Sequence, residues 1–275
     1  MSQEPAQQVH AYEPRRFQGA VPFYERYRLG YPQRLIGRVI ALAGLKPGDA
    51  VLDLGTGPGL LAVPFAQAGM DVTAADPEPA MLAAAQEAAD AAGVKLSLWQ
   101  GGSYDLTADM GPFKLVAIGR AFHWMDRAAT LAMLDKIITP DGGVAFFHDA
   151  HPDVAENRWF KVLRKVTDRH SKDGKHIAAG HAGAHHRYEP YLFASAFTVL
   201  DGLSVTIRGE ITLDHLVGRA YSFSTCAPER LAGRREEFEQ DLRNALTPLA
   251  ENGKFIEIAE MVALLARRPE EKKGS

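Results

Sequence analysis

Residues 51–59, with the sequence VLDLGTGPG, constrain the fold of this chain more than any other stretch. A short apolar run typical of a buried strand leads into three closely spaced glycines, and apolar residues at helical spacing follow. This strand, glycine-rich turn and helix start predict a nucleotide-type binding site, because glycines let the backbone approach a ligand and the helix start offers unpaired N–H groups. The third glycine comes one residue earlier than in the dinucleotide fingerprint G-x-G-x-x-G, which argues against a nicotinamide cofactor.

Composition narrows the possible classes of protein. The chain has 275 residues, 46% of them hydrophobic, which is enough for one large α/β domain with a sizeable core. Its formal net charge is −3 and its basic residues are scattered, so we expect no nucleic-acid partner. A single cysteine, Cys226, excludes an internal disulfide and suits a reducing compartment. Because no signal-peptide pattern and no apolar run of roughly 18–20 residues is present, we expect a cytoplasmic protein without membrane contact. The oligomeric state stays open.

Strand and helix patterns alternate from Val51 onward, which predicts βαβ units and a parallel sheet with helices on both faces. A tight turn at 140–143 is predicted before the fifth strand, and the residues Asp201-Gly202 predict a hairpin between two later strands. The predicted strands are 51–54, 71–75, 94–99, 113–118, 144–148, 197–200, 203–210 and an edge strand at 255–266. Predicted helices after the fifth strand are 159–170, 188–196, 212–221 and 229–246.

Asp76 ends the second predicted strand, about 20 residues past the glycine turn, where a carboxylate can accept hydrogen bonds from both hydroxyls of a ribose. The same residue could also cap the helix that Pro77 opens, which we predict over 78–92 with Met81 facing inward. The two roles are compatible, and the neighbouring glycine turn favours the ribose role.

Histidines follow two predicted strands at the edge where α/β sheets bind ligands. His123 comes after the fourth strand, and His148 and His151 come at the end of the fifth. Each could move a proton near neutral pH; alternatively, His123 could simply order its turn, and His148 and His151 could be solvent-exposed loop residues. A second group of histidines lacks the i, i+4 spacing and the paired cysteines or carboxylates of metal sites, so we expect no metal. This group is His170, His176, His181, His185 and His186.

Several motifs together resemble the class I methyltransferases that use S-adenosylmethionine, in particular the small-molecule enzymes of the methyltransferase type 11 and trans-aconitate-methyltransferase-like group. The motifs are the Asp-x-Gly-x-Gly-x-Gly turn at 53–59, the acidic Asp76, the Ala-Phe-His-Trp loop at 121–124, and the Pro-Asp-Gly-Gly turn at 140–143. The resemblance covers roughly 24–149. It implies a Rossmann-like, doubly wound and mostly parallel seven-stranded sheet with an antiparallel last strand, N-terminal lid helices, and a helical cap inserted after the fifth strand.

The resemblance also implies how the cofactor is held. The glycines admit its amino-acid end, Asp53 orders the turn, and Asp76 holds the ribose. Tyr24 and Arg28 belong to a lid motif, Tyr24-x-x-x-Arg28-x-x-Tyr31-Pro32, in which the arginine can pair with the cofactor carboxylate. The same aromatic segment could instead be a surface helix that packs its rings on the main domain. The expected cofactor residues are Tyr24, Arg28, Asp53, Gly55, Thr56, Gly57, Gly59, Asp76, Pro77, Met81, Gly102, Ser103, Tyr104, Arg120, Ala121 and Trp124.

Two departures from the family pattern affect the expected ligands. Gly102 stands where the family usually carries an aspartate that reads the adenine edge, which leaves this role to Ser103 or Asp105. The Asn/Asp-Pro-Pro-aromatic tetrapeptide of DNA- and protein-glutamine-directed members is absent, which disfavours nucleobase amino groups as acceptors.

For the acceptor, the resemblance implies a small molecule under the lid and cap, with S-adenosylhomocysteine as the other product. Methyl transfer is an in-line displacement at an already activated carbon, so positioning supplies much of the rate and a base is optional. His123, His148 and His151 are the candidates for such a base. The expected acceptor-binding residues are Tyr27, His123, His185, His186, Arg187 and Tyr188.

The predicted organisation follows from these assignments. It comprises a mobile tail (1–12), a lid segment (13–45), the cofactor-binding core (46–152), a cap insertion (153–196), the C-terminal part of the sheet (197–268) and a charged tail (269–275). Three other functions stay open at this point: a different reaction with the same cofactor, a non-catalytic binding module, and a nicotinamide-dependent oxidoreductase.

Overall fold

The computed structural model describes residue 19 and residues 21–171, 188–223 and 225–270. Within these ranges the chain forms a seven-stranded sheet with helices on both faces. The strands are β1 (Ala50–Leu54), β2 (Asp71–Asp76), β3 (Ser97–Gln100), β4 (Phe113–Gly119), β5 (Ile138–Ala150), β6 (Val199–Thr212) and β7 (Lys254–Arg267). The α-helices are α1 (Val21–Tyr27), α2 (Gln33–Leu42), α3 (Ala62–Gln67), α4 (Pro79–Ala92), α5 (Arg127–Ile137), α6 (Arg158–His170), α7 (Glu189–Phe193), α8 (Leu213–Tyr221) and α9 (Arg235–Leu246).

The strand order is β3-β2-β1-β4-β5-β7-β6. The first five strands pair in parallel, whereas β7 runs antiparallel to both of its neighbours, β5 and β6. This confirms the predicted doubly wound, mostly parallel sheet with an antiparallel last strand. The order reverses between β1 and β4, which is where open α/β sheets bind ligands.

The predicted hairpin at Asp201-Gly202 is wrong, because both residues lie inside the continuous strand β6. Asp201 pairs with Leu265 and Gly202 with Leu264 of β7. A two-residue hairpin of the favoured type needs positive φ, and Gly202 does not adopt it. Asp201 instead forms an ion pair with Arg267 at 2.6 Å, which fixes it to the neighbouring strand.

The predicted edge position of β7 is also wrong, since β7 hydrogen-bonds on both sides and β6 forms the edge. An alternation of apolar and polar residues indicates that one face of a strand is more buried than the other. It does not indicate whether the strand has a neighbour on one side or on both. The predicted turn at 140–143 lies within β5 as an irregularity: Phe113 pairs with Ile138, and Leu115 already pairs with Gly143.

Two element boundaries are later than predicted. β3 starts at Ser97 and not at residue 94. α9 starts at Arg235 and not at residue 229. Ala232 and Gly233 explain the second difference, because both have positive φ, 48° and 84°, and so interrupt a right-handed helix before it.

Each face of the sheet has its own hydrophobic core. One cluster joins the sheet to α2 and α3 and includes Phe65 and Phe147. The other joins the opposite face to α5 and α7 and includes Phe146, Leu131 and Tyr188. The parallel strands are therefore covered on both sides, as their continuous apolar sequences predict.

A third hydrophobic cluster lies beyond the carboxyl end of β5. The last pair between β5 and β7 joins Ala150 to Glu260, whereas β6 and β7 stay paired as far as Lys254. Helices α6, α8 and α9 pack around this projecting end through Trp159, Tyr221 and Phe238. The two helices of the predicted cap segment therefore pack in different places. Helix α6 belongs to this third cluster, whereas α7 packs in the core on one face of the sheet.

Asn157 connects the third cluster to the sheet. Its buried amide donates to the carbonyls of Pro152 at 2.9 Å and Ile258 at 2.8 Å, and its oxygen accepts from the Ile258 N–H at 3.0 Å. Three hydrogen bonds from one side chain therefore fix the start of α6 against β7.

Asn157→Ala is expected to lower the free energy of unfolding by about 2–4 kcal/mol, because buried backbone groups lose their partners. Denaturant titration measures this. The matched control is Asn244→Ala, which removes an exposed amide bonded only to Gln240 among the described contacts and is expected to cost less than about 0.5 kcal/mol. Equal losses for the two variants would contradict the role assigned to Asn157.

Candidate active site

Two buried carboxylates hold the glycine turn between β1 and α3. The Oδ2 atom of Asp53 accepts from the Thr56 hydroxyl at 2.7 Å and from the Ala62 N–H at 3.0 Å. Asp76, at the end of β2, accepts from the Gly57 N–H at 2.9 Å through Oδ2 and from the Glu78 N–H at 2.9 Å through Oδ1. The two aspartates thus fold the turn from both sides.

Gly55 shows why the turn requires glycine. Its φ is +77°, and a Cβ at this position would lie 2.6 Å from the Cβ of Ala121, in the loop after β4. A side chain here would both strain the backbone and push β1 away from β4. The close approach brings the loops after these two strands together at one edge of the sheet.

A cleft opens at this edge, beside the glycine turn. Six of the expected cofactor residues line it: Tyr24, Asp53, Gly55, Thr56, Gly57 and Arg120. Four lining residues were not assigned from sequence, namely Tyr31, Leu60, Leu61 and Gly119. Tyr31 belongs to the predicted lid motif, and its place in that motif could have identified it as a residue of the cleft.

Arg120 forms one wall of the cleft. It has a left-handed backbone, with φ of 54°, which is uncommon for a residue other than glycine and is typical of functional sites. Its Nε atom pairs with Asp149 at the end of β5, its Nη2 atom donates to the Leu29 carbonyl at 2.8 Å, and its guanidinium lies 4.7 Å from the centre of the Tyr31 ring. Burial acts to raise the pKa of Asp149, but Arg120 and Arg28 outweigh it and hold that pKa well below its usual range.

Two polar atoms of the cleft residues have no hydrogen-bond partner among the described residues. They are Oδ1 of Asp53, a buried acceptor, and Nη1 of Arg120, a buried donor. Burial raises the pKa of Asp53 to about 7, and burial raises the pKa of Asp76 to about 6. An acceptor and a donor left open in one cleft complement a ligand that carries both an ammonium and a carboxylate group.

Other expected cofactor residues surround the turn without lining the cleft. Gly59 packs against Ala85 of α4, and Met81 of the same helix lies next to Gly57, whose added Cβ would be 3.9 Å from the sulfur. Pro77 directly follows Asp76 at the end of β2. These residues set the distance between the turn and α4.

The loop after β3 folds on itself. The Gly102 N–H donates to the Asp105 carboxylate at 2.8 Å, and Gly101 bonds back to the carbonyl of Asp76 at 3.2 Å. This fixes the loop beside the end of β2. Ser103 is half-buried, whereas Tyr104 is 60% exposed.

The loop after β4 contains a short 3₁₀ turn, Phe122–Trp124. The Cβ of Ala121 lies where a side chain at position 55 would be. The rings of His123 and Trp124 are both half-buried, with their centroids 4.6 Å apart. Neither ring lines the cleft described above.

Tyr27 and Arg28, in the segment predicted to be a lid, pack against α8 and the loop that follows it. The Tyr27 ring lies 5.1 Å from the ring of His215, and its carbonyl accepts from Arg219 at 3.1 Å. The guanidinium of Arg28 lies between two rings, 5.0 Å from Tyr24 and 4.7 Å from Phe223.

The predicted histidines after β5 differ in their surroundings. His148 lies within β5, opposite Val262. His151 is bonded through Nε2 to Glu257 at 2.7 Å, and Glu257 also forms two bonds with Arg219. Burial acts to raise the pKa of Glu257, but hydrogen bonds from His151 and Arg219 lower it to about 2. This carboxylate therefore stays ionised at neutral pH.

Tyr188 does not fit its expected acceptor role, because its ring is buried in the core beneath the sheet. It lies 5.1 Å from Phe122 and 5.0 Å from Phe146. The other expected acceptor residues from this segment, His185, His186 and Arg187, fall outside the described residues.

The described part of the chain contains no group of three or more His, Cys, Asp or Glu residues placed to hold a metal ion. Burial raises the pKa of the Cys226 thiol to about 11, so it is not a reactive thiolate. None of the described helices combines the length and apolar character that crossing a membrane requires.

A family model described as a methyltransferase domain matches residues 51–142, the part of the chain that holds the glycine turn and the loop after β4. An uncharacterized methyltransferase of Mycobacterium tuberculosis is 32% identical over 153 residues, which is 56% of this chain and 59% of that protein. The ubiquinone biosynthesis O-methyltransferase of Azorhizobium caulinodans is 35% identical over 121 residues, 42% of this chain and 47% of the relative. The chain thus spans about half the length of these curated relatives.

The solved structures agree on the fold. A SAM-dependent methyltransferase from Thiobacillus denitrificans, solved in complex with S-adenosyl-L-homocysteine, matches with a TM-score of 0.53 at 17% identity. The match covers 93% of this chain and 99% of that one. At this identity the likeness concerns the fold alone, and it extends well beyond the matched methyltransferase domain.

The raised pKa of Asp53 leads to a prediction about stability. An unfolded aspartate titrates near about 3.9, so between this value and about 7 the folded state holds the proton more tightly than the unfolded state. Asp53 therefore stabilises the ligand-free fold at low pH, and this contribution is lost as the pH rises through about 7.

We expect the unfolding free energy of the wild type, relative to Asp53→Asn, to fall between about pH 5 and about pH 8. Denaturant titration of both proteins at the two pH values measures it. Because the two proteins share all other titrating groups, the contributions of those groups to the pH dependence cancel in the difference. A difference that does not change with pH would contradict the shift.

Proposed function

We propose that this protein is an S-adenosylmethionine-dependent methyltransferase that acts on a small-molecule acceptor. The observation that carries the proposal is the open pair of polar atoms in the cleft, Asp53 Oδ1 and Arg120 Nη1, beside a glycine turn held by Asp53 and Asp76. An α-amino group and an α-carboxylate satisfy an open acceptor and an open donor together. The matching methyltransferase domain and the relatives named methyltransferases support the same function.

In this proposal each end of the cofactor meets its own residues. Asp53 would hold the ammonium group and Arg120 the carboxylate, while Asp76 would accept hydrogen bonds from the ribose hydroxyls. The loop of Gly102 and Ser103 would contact the adenine. Bound S-adenosylmethionine supplies a sulfonium methyl, which an acceptor nucleophile takes by in-line displacement, leaving S-adenosylhomocysteine and releasing any proton of the nucleophile to a base or to water.

Cofactor binding and the ionisation of Asp53 are expected to depend on each other. The buried carboxylate loses its proton with difficulty when the cleft holds no cation. An ammonium group next to Oδ1 favours the charged form, so binding near neutral pH is expected to release a proton from Asp53.

Among the three predicted histidines, His151 is the one that we propose as a base from its described contacts. Its Nε2 atom faces the ionised Glu257 carboxylate at 2.7 Å, which favours the tautomer with the proton on Nε2 and leaves the Nδ1 lone pair to accept a proton. Arg219 fixes Glu257 in turn, through two hydrogen bonds.

The alternatives concern what happens at the cleft. A different reaction with the same cofactor, or non-catalytic binding, would use the same glycine turn and the same open pair. A nicotinamide-dependent oxidoreductase is disfavoured by the glycine spacing. We further propose a cytoplasmic protein without a nucleic-acid partner, since the net charge is −3 and the basic residues are scattered along the sequence.

The proposed ribose contact is tested by Asp76→Ala. Calorimetric titration is expected to show at least tenfold weaker binding, about 1.4 kcal/mol, of both S-adenosylhomocysteine and 5′-methylthioadenosine, because both carry the ribose. The control is Asp71→Ala, an exposed aspartate at the other end of β2, which leaves both affinities unchanged. If the wild type binds neither ligand, or binds NADH instead, the proposed function is wrong.

Asp53→Asn tests the amino-acid end separately. This variant keeps the shape of the side chain and removes its charge. We expect about tenfold weaker binding of S-adenosylhomocysteine (about 1.4 kcal/mol), while 5′-methylthioadenosine, which lacks the amino-acid group, keeps its affinity within about twofold. Equal losses for the two ligands would show that Asp53 acts only through the shape of the turn.

A further inference from the structure

A palindromic segment lies in the edge strand of the sheet. β6 pairs with β7 on one side and with no described strand on the other. Its residues 206–212 read Thr-Ile-Arg-Gly-Glu-Ile-Thr. The order is the same from either end, except that Arg208 and Glu210, on either side of the central Gly209, carry opposite charges. We call residues 206–212 the edge palindrome.

The backbone of the edge palindrome presents hydrogen-bonding groups away from the sheet. Arg208 lies opposite Ile258 of β7, whose N–H and carbonyl are both bonded to the Asn157 side chain. The Ile258 groups therefore point away from β6, so this is a pair without backbone hydrogen bonds, and the N–H and carbonyl of Arg208 point outward from the edge. Because the direction alternates along a strand, residues 206, 210 and 212 point the same way.

A second copy of the same segment, antiparallel and centred on Gly209, complements this edge. Arg208 of each copy then lies opposite Glu210 of the other, which gives two pairs of opposite charge about a two-fold axis. Since both residues have outward backbone groups, each pair also exchanges two backbone hydrogen bonds. The remaining positions face residues of their own kind, with Ile207 opposite Ile211 and Thr206 opposite Thr212.

The two charges also specify the register of this pairing. A slip of two residues would place Arg208 opposite Arg208, or Glu210 opposite Glu210, and like charges directly opposite each other destabilise a strand pair. A slip of one residue would place outward backbone groups opposite groups that already face β7. The arrangement centred on Gly209 is therefore favoured over its neighbours.

Both charged side chains are accessible to a partner. Arg208 and Glu210 are exposed and, being two residues apart in a strand, lie on the same face. The Oε2 atom of Glu210 pairs with Nζ of Lys254 at 2.6 Å. A carboxylate has two acceptor oxygens, so an arginine of a second copy can bond to Glu210 without displacing Lys254.

Neighbouring elements limit the pairing to this part of β6. On one side of the edge palindrome, the Ser204 carbonyl already accepts from Arg38 of α2 at 3.0 Å. On the other side, α8 starts at Leu213. The opposite edge of the sheet offers no such match, because β3 is only 4 residues long and none of them is charged.

We propose that the edge palindrome pairs with the same segment of a second copy of this chain, which forms a two-fold symmetric dimer with one continuous sheet. An edge strand with unpaired backbone groups readily adds another strand, and two-fold pairing satisfies these groups on both copies at once. This inference concerns an interaction surface and does not depend on the proposed function.

A cysteine at the centre of the palindrome tests the pairing directly. Gly209 faces Gly209 of the other copy across the two-fold axis, with Cα atoms about 4.5 Å apart, a distance that a disulfide can span. A Cβ added there meets no atom within 4 Å. We expect Gly209→Cys, in the full chain under mild oxidation, to form a covalent dimer that non-reducing electrophoresis detects.

The matched control is Gly202→Cys, in the same strand and with the same open space around its Cβ. This position lies outside the edge palindrome, so we expect no covalent dimer. The native Cys226 is buried and contributes little background.

Charge reversal tests the pairing by a second route. Sedimentation velocity is expected to give the wild type about twice the single-chain mass of 30.0 kDa. Arg208→Glu and Glu210→Arg are each expected to raise the dimer dissociation constant about tenfold or more, because both cross-strand pairs become repulsive. Mixing the two variants restores opposite charges at both pairs, so a heterodimer forms. Lys95→Glu, which reverses an exposed charge next to β3, leaves the dissociation constant unchanged.

Three results would overturn the inference. They are a wild type with the mass of a single chain at every protein concentration, equal cross-linking of Gly209→Cys and Gly202→Cys, and a mixture of Arg208→Glu and Glu210→Arg that associates no more strongly than either variant alone. The cross-link does not depend on the charge variants, so it remains decisive if one of them fails to fold.

Discussion

The glycine turn of this protein keeps its shape because two buried carboxylates bond to its backbone. Asp53 holds the start of α3 and the Thr56 hydroxyl, and Asp76 holds the Gly57 N–H from the neighbouring strand. A hydrogen-bonded carboxylate is normally a stronger acid, yet burial outweighs these bonds at both positions and raises both pKa values. The ligand-free turn is therefore electrostatically unfavourable at neutral pH. A cation in the cleft relieves this cost, so the same residues that shape the turn also favour an ammonium-bearing ligand.

A second constraint lies at the ends of β4 and β5. Arg120 adopts a left-handed backbone and pairs with Asp149, which connects the two strand ends, and it also bonds to the Leu29 carbonyl of the lid segment. Arg219 of α8 makes a similar pair of contacts. It pairs with Glu257 of β7 and donates to the Tyr27 carbonyl. Two arginine–carboxylate pairs therefore hold two carbonyls of the lid segment. The position of the predicted lid segment relative to the cleft depends on charge pairs as well as on apolar packing.

The sequence predicted the fold class and the glycine turn because both depend on neighbours along the chain. Strand, turn and helix at Asp53 and strand end at Asp76 are local patterns with a fixed geometry. Long-range relations were not predictable in the same way. The partner of Arg120 is 29 residues away, and the continuity of β6 through Asp201 depends on pairing with β7. Arg28 was assigned to the lid motif from sequence, but its position between the Tyr24 and Phe223 rings becomes visible only when all surrounding elements are in place.

The crystal structure of the protein with S-adenosylhomocysteine tests the account most directly. The account predicts the thioether in the cleft after β1 and β4, with its ammonium group at Oδ1 of Asp53, its carboxylate at Nη1 of Arg120 and its ribose hydroxyls at Asp76. A complex in which the amino-acid end lies elsewhere would contradict the assignment of the open pair. Crystals grown with saturating ligand that show the cleft without it, while calorimetry detects no heat, would contradict the function proposed for the whole site.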